Sequence, residues 1–366
     1  MNVSLDLKTL NNHNAGIGRY CINLTSHLLK RNKYQYFGIM GPESDDSLIC
    51  IESKKYFNIQ SSLIRSYLLA FSLPKNSTIV HSMDNSSLNF NIKRIKTITT
   101  IHDVIVFLKP ELFNFKHRFV VGHLTRSAID KSDHILAVSE STKREILELF
   151  PSIDSEKITV TYEASDMEMP SSDMMNKVFT EFPELPKNYL LSLGTLEPRK
   201  NLKRLIQAFR NLRSNNRIND IDLVLVGGKG WLESGIDKSK EELKKEGIII
   251  LGFVDDQWLP AIYANALAFI YPSLHEGFGL PPLEAMSCGT PVLLSNKSSL
   301  PEVGGDAALY FDPLSIEAIG ESIEKIIYDV DLQKTMSEKS LIQSKRFSWD
   351  KTAQQTEEVY AKVLGL

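Results

Sequence analysis

At 366 residues the chain is longer than one hydrophobic core usually organises, so two domains are expected. Its 42% hydrophobic and 24% charged residues are ordinary for a globular protein, and the net charge of −3 excludes the dense basic stripe of a nucleic-acid binder. Met1–Ser165 holds 20 lysines and arginines against 16 aspartates and glutamates, whereas the remainder holds 22 against 29, which is compatible with a first half that meets an anionic surface or simply with a solvated face.

Met1-Asn2-Val3-Ser4-Leu5-Asp6 lacks the basic-then-apolar pattern of a signal peptide, and no stretch is apolar for long enough to span a bilayer, so a cytoplasmic protein is expected. Cys21, Cys50 and Cys288 are odd in number and scattered, which argues against a disulfide framework and a structural zinc. Asn2–Leu7 alternates as a strand, Leu10–Gly18 reads as a glycine-containing loop, and from Arg19 the apolar positions Tyr20, Ile22, Leu24, Leu28 and Leu29 predict a helix. Ala15-Gly16-Ile17-Gly18-Arg19 is a fragment of a dinucleotide fingerprint without its third glycine.

Ser61–Leu73 is an apolar helix with Arg65 as its one charge, and it faces either a core or a membrane. Thr78–Ser82 and Thr97–Asp103 are β-branched runs that bring His81 and His102 to a strand end, where a histidine serves structure or chemistry. His134–Ser139 is the next strand, with Ser139 capping the following helix, and Ile158–Tyr162 closes a first doubly wound α/β domain. Glu163–Lys187, with Pro170, Pro183 and Pro186 and no clear period, reads as a linker.

Strands at Tyr189–Leu193, Asp222–Val226, Gly247–Leu251, Ala268–Tyr271 and Thr290–Leu294 build a second domain of the same kind, and Asp350–Val363 is a last helix. After the first of these strands comes Gly194-Thr195-Leu196-Glu197-Pro198-Arg199-Lys200. Adjacent cations at a helix start fit phosphate, although such a pair is also a common solvated surface feature. Val226–Trp231 is a further glycine loop, and Gly252–Asp256 follows another strand.

The most informative stretch follows Ala268–Tyr271: His275-Glu276-Gly277-Phe278-Gly279-Leu280-Pro281-Pro282-Leu283-Glu284. A strand, a glycine loop and a helix opened by proline aim backbone N–H groups and a helix dipole at an anion. Glu276 and Glu284 accept hydrogen bonds and repel phosphate, so their flanking positions suit a ligand with hydroxyls on both sides of its phosphates, such as a nucleotide sugar. Glu284 read alone is also an ordinary carboxylate near a helix N-terminus.

This string resembles the E-x7-E signature of retaining glycosyltransferases of family 4. The resemblance covers nearly the whole chain and is strongest from Leu193 to Leu309. It implies a GT-B fold, two doubly wound Rossmann-like domains facing each other across a cleft. Residues 1–168 would bind the acceptor, residues 186–346 would bind the nucleotide sugar, and the helix of residues 350–366 would pack back on the first domain.

It further implies that Glu276 faces the donor sugar, that Gly277, Phe278, Gly279 and Leu280 approach sugar and pyrophosphate, and that Glu284 holds the ribose. Gly16 and Gly18 would lie by the pyrophosphate with Gly194, Arg199 and Lys200, and the segment at Val254 would meet the base. His102, followed by Asp103, would hydrogen-bond the sugar or the acceptor; His81 is a second candidate. Where many members carry arginine directly after the glycine, this chain has Thr195, which leaves open whether Arg199 or Lys200 does that work. No Asp-x-Asp stands in a phosphate-loop context, so no metal and no other cofactor is expected.

Within the family the string is similar to bacterial mannosyltransferases of polysaccharide and O-antigen assembly. That likeness implies GDP-mannose as donor, a saccharide or polyprenyl-pyrophosphate-linked saccharide as acceptor, no nucleic acid, and work in the cytoplasm with peripheral contact to the inner membrane as an option. UDP-glucose, UDP-GlcNAc and GDP- or TDP-deoxysugars stay open, as does a sugar-nucleotide epimerase of the same fold. A nucleotide-sugar sensor is the non-catalytic rival, and a nicotinamide dehydrogenase would need the complete fingerprint that the Ala15 region lacks.

Overall fold

A computed structural model describes residues 1–12, 16–41, 49, 51, 53–56, 59, 61–86, 94–195, 197–228 and 239–366. The chain divides into two compact units, Met1–Ala164 with Ser348–Leu366, and Ser165–Phe347.

Among the described residues, the first unit is built on seven parallel strands: β1 (Asn2–Leu7), β2 (Gln35–Met40), β3 (Lys54–Tyr56), β4 (Ile79–Ser82), β5 (Lys96–Ile101), β6 (His134–Ala137) and β7 (Ile158–Val160). They lie in the order β3-β2-β1-β4-β5-β6-β7. Every strand pairing is parallel, in keeping with helical crossovers and strands whose side chains are buried on both faces. β2 and β3 are absent from the sequence reading, because Gly38 and the Lys54-Lys55 pair interrupt the β-branched runs that revealed the other strands.

Three further expectations change. The helix expected from Arg19 spans Gly16–Arg31, so Gly16 and Gly18 lie in its first turn and not in a loop; the apolar period already runs back through Ile17. Ala15 lies outside the described residues. Ser61–Leu73 is a helix at Ser62–Leu68 followed by a 3-10 turn at Leu69–Ser72, and its polarity is inverted relative to a core-facing helix. Arg65 is buried and holds Asp6 at 2.7 Å, while Ile64, Tyr67, Leu68 and Phe71 are exposed. Finally, the segment read as a linker carries a helix, Ser172–Glu181, capped by Ser171 and seated by buried Val178, and it belongs to the second unit from Ser165 onward.

The C-terminal helix, Trp349–Leu364, packs on the first unit. Its Glu357 is fully buried, 2.8 Å from the Arg31 guanidinium and within reach of the Tyr36 hydroxyl, and Tyr360 reaches His81.

Among the described residues, the second unit has six parallel strands, β8 (Tyr189–Leu193), β9 (Asp222–Val226), β10 (Ile248–Gly252), β11 (Ala268–Tyr271), β12 (Val292–Ser295) and β13 (Ala308–Phe311), in the order β10-β9-β8-β11-β12-β13. Leu190, Leu223, Leu225, Ala268, Ile270 and Leu293 from the sheet pack with Leu205, Phe209, Ile319 and Ile323 from two helices. In both sheets the winding reverses between the first and fourth strands, β1 against β4 and β8 against β11. Loops leaving adjacent strands diverge there, and the carboxyl edge opens a crevice.

Candidate active site

In the second unit the reversal brings together two loops that are far apart in sequence. β8 is followed by Gly194, whose N–H donates to Val226 O at 2.9 Å. The chain passes so close beneath β9 that a Cβ on Gly227 would stand 2.1 Å from Gly194 O, and Gly227 has φ +142°. Only glycine fits such an approach. Leu196 and Lys229-Gly230-Trp231 lie outside the described residues.

Pro198 opens a 3-10 turn over Pro198–Lys200, and Asn201 then adopts a left-handed conformation, φ 57°, before the helix Leu202–Ser214. The Asn201 amide donates to Pro272 O at 3.0 Å and Pro313 O at 2.7 Å, and Leu274 N donates to Arg199 O at 2.9 Å. The β8 and β11 loops are thereby laced together.

Glu276 lies at the centre of this lacing. Its Oε2 accepts from Arg199 Nη1 at 2.7 Å, and its Oε1 accepts from Lys200 Nζ at 2.7 Å and from Ser273 Oγ at 2.6 Å. Arg199 Nη2 also donates to Glu197 at 2.7 Å, and Lys200 Nζ donates to the Tyr271 hydroxyl at 2.6 Å. Glu197, Lys200 and Glu276 are all buried. Two cations thus share two carboxylates.

Burial alone would favour a neutral Glu276, but the charges of Arg199 and Lys200 and the hydrogen bonds from Lys200 and Ser273 hold its carboxyl far below the usual range. Lys200 is also shifted down, first by burial and then by the Arg199 charge beside it, because the Glu276 and Glu197 carboxylates return less than these two remove.

Gly277–Gly279 is held from below. Glu276 N donates to Ser298 Oγ at 2.9 Å, and the Ser299 hydroxyl reaches both Glu276 O and Phe278 O. The helix Leu280–Ser287 follows, with Gly279, φ +120°, in the capping position and proline in the first turn. Gly279 brings no side chain to cap the helix, so the dipole end is not closed by a capping group. Glu284 is the fifth residue of that helix, beyond its first turn. It is buried, and its Oε2 accepts from the Tyr263 hydroxyl at 3.1 Å. Leu280 and Phe278 are buried, with Phe278 edge-on to Phe347 at 5.6 Å. Val254 is buried just past β10 beside exposed Phe253.

In the first unit, His102 is the residue immediately after β5. Its Nδ1 lies 3.0 Å from Glu163 Oε1, its Nε2 donates to Met83 O at 2.9 Å, and Tyr20 meets the ring edge-on at 4.8 Å. A carbonyl only accepts and a carboxylate accepts best, so both ring nitrogens are satisfied by an imidazolium. Burial pulls His102 toward neutrality, but the Glu163 hydrogen bond and charge, aided by Met83 O, raise its pKa overall.

Asp103 Oδ1 accepts from Ile105 N at 3.2 Å. His81 is a different case: it is fully buried between the Tyr360 hydroxyl at 2.7 Å and Thr100 at 2.9 Å, and burial lowers its pKa to about 3. It is a neutral structural histidine. Gly16 is exposed at the first position of its helix and Gly18 is buried two residues on.

Sequence reasoning overlooked Glu197, Tyr271 and Ser273 in the second unit, and Glu163 and Tyr20 in the first; it placed Tyr263 only behind the segment expected to meet the base. The available signal was positional: Glu163 and Glu197 each follow closely on a strand, at the edge of the sheet that also presents His102 or Glu276.

The family described as Glycosyltransferase Family 4 matches residues 15–168, and the one described as Glycosyl transferases group 1 matches residues 176–342. The chain is 33% identical over 370 residues to the Escherichia coli O-antigen chain mannosyltransferase B, covering 94% of this chain and 96% of that protein. It is 30% identical to the Salmonella typhimurium O-antigen chain mannosyltransferase RfbU, over 69% of this chain and 70% of that protein. Among solved structures it is similar to Anabaena HepE in complex with UDP-glucose, with a TM-score of 0.77 and 18% identity over 99% of this chain and 100% of that one. No helix among the described residues is long and apolar enough to cross a membrane. The chain belongs to glycosyltransferase family 4, and it is a hexosyl-transferring enzyme of the GT-B fold.

Proposed function

We propose that this chain transfers mannose from GDP-mannose, with retention of configuration and without a metal, to a hydroxyl of a polyprenyl-pyrophosphate-linked saccharide in O-antigen assembly. The observation that carries the reading is Glu276 clamped between Arg199 and Lys200 at the mouth of a glycine loop and an uncapped helix. The mannosyl choice and the kind of acceptor rest on the relatives named above.

An arriving diphosphate competes with Glu276 for the two cations. As they turn to the leaving group, the carboxylate is released to accept sugar hydroxyls. Arg199, Lys200 and the dipole of the helix Leu280–Ser287 then stabilise the charge that develops as the sugar–phosphate bond breaks, in place of a divalent ion. Gly194, Gly277, Phe278, Gly279 and Leu280 line the path of sugar and pyrophosphate, Val254 stands toward the base, and Glu284 toward the ribose. In the first unit, Gly16 and Gly18 are assigned to the pyrophosphate, and His102, whose ring nitrogens are engaged by Glu163 and Met83 O, to the sugar or acceptor.

The test is diphosphate release from a panel of sugar nucleotides with and without lipid-linked saccharides. Release from GDP-mannose that depends on acceptor supports the reading. Release from a UDP-sugar alone, or an altered free sugar without acceptor, replaces it.

A further inference from the structure

His102 makes its ring bonds to Glu163 and Met83 O and meets the Tyr20 ring edge-on, so its place is only as firm as these neighbours. Glu163 lies past β7 among residues 161–171, which form neither helix nor strand. Thr161 N donates to Ala137 O at 2.9 Å, and a further support for this segment comes from the last helix, Trp349–Leu364. Thr352 Oγ1 donates to Tyr162 O at 2.6 Å, the shorter of two contacts for that hydroxyl, since Ser348 O lies at 3.0 Å.

Tyr20 is backed by the same helix. The Trp349 ring meets the Tyr20 ring at 5.8 Å. Tyr360 reaches it through a chain of hydrogen bonds: its hydroxyl lies 2.7 Å from His81 Nδ1, His81 Nε2 lies 2.9 Å from Thr100 Oγ1, and that oxygen lies 2.9 Å from the Tyr20 hydroxyl. Trp349, Thr352 and Tyr360 are all buried, and their spacing puts them within an arc of about 80° at 3.6 residues per turn. One face of the helix therefore carries the supports of both His102 neighbours. Glu357, buried against Arg31 and Tyr36, fixes the helix along its length.

Trp349 is held there by shape. Among the described residues its buried indole N–H has no hydrogen-bond partner, so packing is what the side chain contributes.

We propose that the last helix holds His102 in place, with Trp349 as a positioning residue that acts through Tyr20. The inference rests on the assignment of His102 to the sugar or acceptor, and it adds a residue from the far end of the chain to that assignment.

The full chain is compared with Trp349→Leu and Trp349→Phe, with melts to confirm folding. Trp349→Leu should lower kcat on the order of tenfold while the GDP Kd stays unchanged, as a small displacement of a reacting group does. Trp349→Phe keeps a ring against Tyr20 and should restore most of the loss. A double-mutant cycle with His102→Asn separates positioning from a general loss of stability: Trp349→Leu should cost nothing further once His102 is Asn. An equal loss in both backgrounds overturns the proposal, as does a phenylalanine that restores nothing. The His102 ring N–H resonances of the ligand-free chain, assigned by their absence in His102→Asn, should shift in Trp349→Leu and return in Trp349→Phe; resonances that do not move overturn it as well. If Trp349→Leu does not fold, Tyr360→Phe, which removes one hydroxyl from the chain to Tyr20, is carried through the same cycle and spectra with the same expected and contrary results. The spectra need no substrate, so full transfer by His102→Asn would remove the histidine from the reaction while the resonances still decide whether Trp349 positions it.

Discussion

Lys200 and Glu276 meet at 2.7 Å, Nζ to Oε1, across two loops that leave neighbouring strands, and Arg199 closes on the other oxygen of the same carboxylate. The cations proposed for phosphate and the carboxylate proposed for the sugar are therefore each other's partners. Removing Glu276 should do two opposite things. Glu276→Ala leaves two cations in a buried setting short of a partner, lowering stability by about 3 kcal/mol, since breaking a buried pair costs more than the pair contributes. The same change removes a competitor of the diphosphate, so GDP should bind at least as tightly while kcat falls roughly 100-fold. Thermal melts, GDP calorimetry and turnover check this together, and a variant that binds GDP more weakly contradicts the competition.

Glu284 should behave differently. It stands in a helix, buried, with Tyr263 as a hydrogen-bond partner, and is assigned to a ribose whose contacts do not change during the reaction. Glu284→Ala is expected to weaken GDP and donor binding by roughly 1.5–3 kcal/mol with little effect on kcat. Tyr263→Phe should weaken binding less, because it disturbs only the orientation of the carboxylate. Nucleotide affinity unchanged in Glu284→Ala would remove this residue from the site.

If Arg199 and Lys200 supply the charge that a metal would otherwise provide, as proposed, activity should survive chelation. The measurement is turnover after EDTA treatment, then with magnesium or manganese restored. Activity lost to EDTA and recovered with metal would count against the assignment of these two residues.

The His102–Glu163 pair predicts a pH-dependent contribution to stability. A folded pKa above the ordinary 6.5 means that the folded state binds the proton more tightly, so the contribution is complete below about pH 6.5 and fades as pH rises through the raised folded value. Glu163→Gln should therefore lower Tm most near pH 6 and least at alkaline pH. A gap between wild type and variant that is constant across this range would mean that the pair is not charged.

Gly227→Ala should be among the most damaging small substitutions in the second unit. Its Cβ would stand 2.1 Å from Gly194 O, and its φ of +142° disfavours any side chain. A loss of about 3 kcal/mol is expected from strain and displacement of the β8 loop, with nucleotide affinity falling alongside. Gly228→Ala, whose added Cβ meets nothing within 4 Å, is the control in urea denaturation. Equal losses in the two would place the cause elsewhere.

The sequence by itself determined the alternation of strand and helix, and the strand-loop-helix at residues 268–287. Tyr189–Leu193, Asp222–Val226 and Ala268–Tyr271 are read to the residue because parallel strands buried on both faces are continuous apolar runs bounded by glycine or proline. Residue types also singled out Arg199, Lys200 and Glu276, which the fold brings into contact.

Only the tertiary structure decided what those groups touch. Whether Arg199 faces solvent or Glu276 depends on β8 lying beside β11, a pairing across some 75 residues that periodicity does not encode. His102 likewise finds Glu163 61 residues away, at the end of a strand two places across the sheet. The helix at Ser62–Leu68 shows the same limit at a smaller scale. Its period separates two faces, but the buried face follows from Asp6 on β1, which draws Arg65 inward and leaves the apolar stripe outside.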